Sequence, residues 1–181
     1  IRNCRFLSNR ARGLLISTPG KVVVENNYFA SSGSAILIAG DANYWYESGA
    51  VRDLLIRGNR FDASCLTSEY QFTEAVISIL PEIPKPDPSR PFHRNIRIED
   101  NHFCSADYPI LFATSVNGLT FSGITVDACL NVRISDNKFV GEVLGRTVSI
   151  ENMHKREVKI APGSPYKVVW NKEAARPKLQ K

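Results

Sequence analysis

The sequence predicts an all-β parallel β-helix, a solenoid of about five coils. Three observations lead there. A six-residue pattern recurs along the chain, a second short apolar run follows each copy, and no dozen residues keep a 3.6-residue apolar period. The pattern is an aliphatic residue, two others, Asn, one residue, Phe. It reads Val24 to Phe29, Ile56 to Phe61, Ile98 to Phe103 and Ile134 to Phe139, with a degenerate first copy, Ile1 to Phe6, in which Cys4 stands for Asn. The spacings from Phe6 through Phe29, Phe61, Phe103 and Phe139 are 23, 32, 42 and 36 residues. A unit of about two dozen residues is therefore repeated, with insertions growing in the later copies.

The second runs are Gly13–Ile16, Ala35–Ile38, Ala75–Ile79, Pro109–Phe112 and Thr147–Ile150. Short β-branched and aromatic runs between Gly, Asn, Ser and Asp clusters are strands, too short for helices. In a parallel β-helix the same position of successive coils stacks about 4.8 Å apart. Repeated Phe and Ile then bury one continuous core. The recurring Asn residues (Asn27, Asn59, Asn101, Asn137) are expected to form a structural ladder, their amides bonding the backbone of the neighbouring turn.

Charge separates the chain into two parts. Residues 155–181 hold eight Lys/Arg and two Asp/Glu, and residues 1–154 hold fifteen and sixteen, so the net +5 belongs to the tail. Residues 1–154 are read as the β-helix coils and 155–181 as a terminal strand pair or a solvated linker. Val158–Ile160 and Val168–Trp170 supply the strand signals there. A neutral body has no footprint for phosphate neutralisation, which argues against nucleic acid as a partner. No apolar run approaches the ~18 residues of a membrane span, and no signal peptide opens the chain. It begins at Ile1, inside the repeat, and reads as a piece of a longer protein. Cys4, Cys65, Cys104 and Cys129 form no CxxC pair, and His93, His102 and His154 no HExxH. The cysteines are expected to fill interior positions rather than to bind metal.

Function in solenoids gathers on the insertions. The first is Gly40–Gly49, in which Asp41, Asn43, Tyr44, Trp45, Tyr46 and Glu47 fall within seven residues. Aromatic faces stack on the C–H face of a pyranose while carboxylates and amides take its hydroxyls. The alternative is a loop whose aromatics pack back onto the coil. The other insertions are Ser64–Glu74 and Pro81–Arg94. Five of the ten prolines lie within Pro81–Pro91, an extended, stiff stretch with polyproline II character that either walls a groove or serves as a proline-rich ligand.

The second runs add a point of register. Ile38 and Ile79 end equivalent runs, and three residues beyond each stands an acid, Asp41 and Glu82. In that register the two carboxylates occupy one corner of successive coils; a one-residue slip puts Pro81 there instead. Inverting glycosidases place an acid and a base ~6.5–9.5 Å apart around a water. Asp41 and Glu82 are thus the leading catalytic pair, one an acid raised by its neighbour and by burial and the other a base, with Glu47 as the reserve. Asn43, Tyr44, Trp45 and Glu47 are the expected substrate contacts. The alternative is that both acids only accept bonds from turn N–H groups.

These residues carry a resemblance. The run from Arg12 to Asn27, that from Ser31 to Gly49, Ile79–Pro84, and Phe92–Asn101 resemble glycoside hydrolase family 110, the bacterial exo-acting α-1,3-galactosidases. The match covers roughly residues 1–145, including non-repeat insertions. It implies a right-handed parallel β-helix that removes terminal α-1,3-linked galactose from blood group B-type or linear α-galactosyl glycans with inversion. It further implies no metal or organic cofactor, and a secreted or periplasmic location. Full-length members are several times longer, and this chain looks like their later coils. Where the catalytic carboxylates lie upstream, Asp41, Asn43, Trp45, Glu47 and Glu82 become substrate contacts. A polygalacturonase-like site would need an adjacent Asp-Asp and an Arg-Ile-Lys run; Arg97-Ile-Glu99 and Arg133-Ile-Ser135 stand instead. A pectate-lyase-like site needs a calcium-binding acid cluster that this neutral body does not offer. The non-enzymatic alternative is a glycan-binding or structural β-helix fragment.

Overall fold

A computed structural model describes residues 1–126 except 42, 47, 48, 69–72, 74, 85, 86, 88 and 105–108, and beyond them strands between Asn131 and Trp170; side chains are described to residue 125. The first coil is β1 (Arg5–Leu7), β2 (Arg12–Ile16) and β3 (Lys21–Glu25). The second is β4 (Tyr28–Ala30), β5 (Ser34–Ile38) and β6 (Asp53–Arg57). The third is β7 (Arg60–Phe61), β8 (Ile77–Ile79) and β9 (His93–Glu99), and the fourth β10 (His102–Phe103), β11 (Pro109–Thr114) and β12 (Val116–Ser122). There follow β13 (Thr125–Val126), β14 (Asn131–Ser135), β15 (Lys138–Phe139), β16 (Glu142–Val143), β17 (Thr147–Glu151), β18 (Lys159–Ile160) and β19 (Lys167–Trp170).

All pairings are parallel. The strands stack in three sheets, β1-β4-β7-β10-β13, β2-β5-β8-β11-β14-β17-β19, and β3-β6-β9-β12-β15, with β16-β18 as a separate pair. This is a parallel β-helix. Each row of its core repeats one chemistry. Ile16, Ile38, Ile79 and Ala113 form one line of register partners, and Val24, Ile56, Ile98 and Phe121 another, all buried.

Phe6, Phe29, Phe61 and Phe103 stack with ring centroids 4.7, 5.1 and 4.5 Å apart and interplanar angles of 7–13°. Offset stacking at this distance adds to simple burial. Beside it runs the Asn ladder. Asn27 Oδ1 accepts the Cys4 N–H at 2.9 Å, Asn59 Oδ1 accepts the Asn27 N–H at 2.9 Å, and Asn101 Oδ1 accepts the Asn59 N–H at 2.9 Å. The amide nitrogens also donate along the stack, Asn27 Nδ2 to Asn59 Oδ1 and Asn59 Nδ2 to Asn101 Oδ1. The residue before each ladder position is left-handed: Asn3, Asn26, Gly58, Asp100 and Gly123 have φ between 53° and 63°. Asn, Asp and Gly tolerate that conformation, which sets the sharp corner.

The repeat breaks where its chemistry changes. Ile134–Phe139 is not the fifth copy. Phe121 pairs with Ile98 and Val126 with Phe103, so Phe121–Val126 is that copy, with Ile124 in place of Asn and Val126 in place of Phe. Ile134 lies instead in β14, opposite Ala113 of the middle sheet. That sheet accordingly holds seven strands rather than five. Within 155–181, β19 pairs with β17 and β18 with β16. Asn137, His154 and Cys129 lie outside the described residues. Cys65 is buried as expected, whereas Cys4, the first rung of the ladder, is exposed and Cys104 half-buried.

Candidate functional site

The site begins where β5 ends. Gly40 approaches the Phe92 ring so closely that a Cβ there would come within 2.6 Å of it. Asp41 follows, 3% exposed, and turns the chain outward by a side-chain-to-backbone turn. Its Oδ1 accepts the N–H groups of Asn43 at 2.7 Å and Tyr44 at 2.6 Å, and its Oδ2 that of Trp45 at 2.5 Å. Burial raises the Asp41 carboxyl, but the donors on Tyr44, Trp45 and Asn43 together outweigh it and hold it below the usual carboxylate range. Asp41 is therefore ionised at neutral pH. Of the two roles expected for the pair, an acid raised by burial and a base, the lowered Asp41 suits the base.

Asp41 and Glu82 pair directly as a parallel bridge. Leu80 N–H donates to Ile38 O and Glu82 N–H to Gly40 O, carrying the β5–β8 register past the end of both strands. Pro81 is not at the corner. Glu82 is exposed, so the two acids differ in solvation.

Tyr44, Trp45 and Tyr46 are 69, 70 and 79% exposed. They do not pack back onto the coil. Tyr44 and Trp45 meet edge to face with centroids 5.0 Å apart. Both, with Asp41 and Glu82, line a groove of about 790 Å³ on the outer face of β2 and β5 and beside the residues that follow β8. Its floor is Leu15 and Leu37, register partners that face outward because Ile16 and Ile38 occupy the core. Leu80 and Ala39 extend that floor toward the acids. Arg10 and Arg12 stand at the opposite end, where β2 begins. Asn43 is exposed and does not line the groove, and Glu47 lies outside the described residues. Of Pro81–Arg94, Glu82 is the lining residue among those described.

An apolar floor, an aromatic wall and a pair of carboxylates suit a sugar, whose C–H faces seek apolar contact while its hydroxyls seek acceptors. No protein-family model matches the chain. It is 60% identical, over 93% of its length, to alpha-1,3-galactosidase B of Bacteroides thetaiotaomicron. The chain is homologous to bacterial α-1,3-galactosidases. It is also 41% identical over 88% of its length to alpha-1,3-galactosidase A of Bacteroides fragilis, and 47% identical over 76% to alpha-1,3-galactosidase B of Akkermansia muciniphila. The match spans 30, 29 and 19% of these three galactosidases respectively.

In this galactosidase homologue the leucine floor and the two arginines escaped sequence reasoning. Strand runs of three apolar residues such as Leu14–Ile16 and Ile36–Ile38 do not by themselves say which residue faces out. Arg10 and Arg12 lie about thirty residues before Asp41 and meet the groove through strand pairing alone. The signal that did exist is Leu15 itself: a strand with Leu14 and Ile16 inward must turn Leu15 outward. Among the described residues no group of three or more His, Cys, Asp and Glu is placed to hold a metal ion, and no helix is long and apolar enough to cross a membrane.

Proposed function

We propose that the protein to which this chain belongs removes terminal α-1,3-linked galactose from glycans, blood group B-type or linear α-galactosyl, with inversion. The observation that carries this is the 60% identity to an α-1,3-galactosidase over 93% of the chain. The groove supports it with a sugar-sized surface at which Asp41 and Glu82 meet. In this reading the galactose stacks on Trp45 and Tyr44. Asp41, ionised, accepts a proton from the attacking water, and Glu82 donates one to the leaving oxygen. Their backbones sit at ordinary strand spacing, ~4.8 Å, so the longer Glu82 side chain has to splay away to leave room for the water. A glycan substrate of this kind goes with a secreted or periplasmic protein.

One observation favours a second reading. Three backbone N–H groups already occupy Asp41, which suits a residue that shapes the loop. In that reading the groove binds the glycan and the catalytic carboxylates belong to the remainder of a longer protein. Proton NMR of the chain with an α-1,3-linked galactobiose separates the two. Early β-galactose, lost in Asp41→Asn and in Glu82→Gln, supports the catalytic pair. Line broadening of the sugar with no release supports the binding role. Neither binding nor release, from a folded chain, refutes both.

A further inference from the structure

The loop that carries Asp41, Tyr44 and Trp45 is long and exposed from Asn43 to Tyr46, yet both its ends land on Phe92 of the next coil, and its far end on His93 as well. The link between β2 and β3 is residues 17–20, whereas that between β5 and β6 is residues 39–52. At its start Gly40 packs on the Phe92 ring. At its end the Val51 N–H donates to His93 Nδ1 at 3.1 Å, and the Arg52 guanidinium donates to the Phe92 carbonyl at 3.2 Å. The Arg94 N–H returns a bond to Val51 O at 3.1 Å. The Phe92 and His93 rings brace one another edge to face, centroids 5.0 Å apart. Ser115 of the fourth coil holds both: its Oγ accepts the Phe92 N–H at 2.9 Å and its carbonyl the His93 N–H at 2.9 Å.

His93 is the informative residue because it is an awkward one to bury. It has no solvent exposure. With Nδ1 accepting from Val51, the ring proton sits on Nε2, which has no hydrogen-bond partner among the described residues. A phenylalanine would fill the same space without that orphan. What imidazole adds is the acceptor for Val51 N–H, a buried backbone donor that would otherwise go unpaired.

We infer that Phe92 and His93 form a ledge that closes the mouth of the 39–52 insertion and sets the position of Asp41, Tyr44 and Trp45, with His93 a positioning residue for the groove. Its effect on glycan affinity rests on the functional reading above; its effect on the loop does not.

The test uses amide hydrogen exchange of the ¹⁵N-labelled chain together with titration of α-1,3-galactobiose. His93→Phe keeps the volume and removes the acceptor. The amides of Tyr44 and Trp45 are expected to exchange roughly tenfold to a hundredfold faster, the range set by one buried donor left unpaired. Those of Tyr28 and Arg60, bonded elsewhere in the stack to Cys4 O and Asn27 O, should not change. His93→Asn, whose Oδ1 can take the place of Nδ1, should restore slow exchange. A merely space-filling role would give the reverse order. Gly40→Ala, which presses on Phe92 from the other end, should loosen the same amides. Unchanged exchange at Tyr44 and Trp45 in the folded variants overturns the inference. Faster exchange with weaker galactobiose binding supports both the ledge and the glycan reading. Faster exchange with unmoved affinity leaves the ledge standing and overturns its part in glycan binding, whereas no galactobiose binding by the unsubstituted chain leaves the ledge standing and removes the glycan reading.

Discussion

Asn59 is a ladder position where substitution should be costly, and its neighbours show how much. Its Oδ1 is the acceptor for the buried Asn27 N–H, and its Nδ2 donates to Val24 O at 3.0 Å as well as to Asn101. In Asn59→Ala the Asn27 N–H is left buried and unpaired, a penalty of ~2 kcal/mol, and the bond to Val24 O is lost at a net ~1 kcal/mol. Asn101 Oδ1 keeps the backbone N–H of residue 59. The expected loss is therefore about 3 kcal/mol. Asn27→Ala is the internal control. It frees the N–H of Cys4, an exposed residue that water can reach, so about 1 kcal/mol is expected. Urea unfolding followed by circular dichroism reads the difference; with m near ~2 kcal/mol/M, Asn59→Ala should lower the midpoint by about 1.5 M. An Asn59→Ala loss no larger than that of Asn27→Ala would refute the view that the ladder satisfies buried backbone.

Three other outcomes are expected. Trp45→Ala should change the unfolding free energy by less than ~0.5 kcal/mol, since the ring is exposed, while weakening galactobiose binding at least about tenfold; equal losses in both would mean that Trp45 is a packing residue. Burial first, and the nearby Arg52 charge second, push the His93 imidazole down to about 4 from 6.5. Between those values the unfolded chain binds the extra proton, so stability is full above about pH 6.5 and falls by roughly 3 kcal/mol as the pH drops through 4. Urea titrations across that window should show the slope, and His93→Asn should remove it. Gly33→Ala should lower stability by at least ~2 kcal/mol, because its Cβ would overlap the Ala11 carbonyl, a backbone group that cannot step aside; an unchanged urea midpoint would contradict that crossing.

Much of the fold was legible because a solenoid asks the same thing of each coil. Phe29, Phe61 and Phe103 face the same partners one coil apart, as do Asn27, Asn59 and Asn101, so identical residues recur at identical places. The copy that went unseen, Phe121–Val126, is the one whose ladder residue is Ile124 and whose stack residue is Val126. What persists there is Gly123, in the left-handed corner position also held by Gly58. That position carries the geometry of the turn and varies among Asn, Gly and Asp, so the recurring Asn and Phe do not mark it.

The sequence by itself determined the all-β solenoid, its core rows and the loop in which acids and aromatics gather. These follow from local chemistry and from translation by one coil. Only the tertiary structure decided that Asp41 faces Glu82 rather than Pro81, that Tyr44 and Trp45 stand in solvent, and that Arg12 and Leu15 share a groove with them. Insertions of unequal length leave strand stacking intact, so the spacing along the chain does not say which residues of different coils become neighbours. Hydrogen-bond register between the coils says it, and that register exists only in the folded stack.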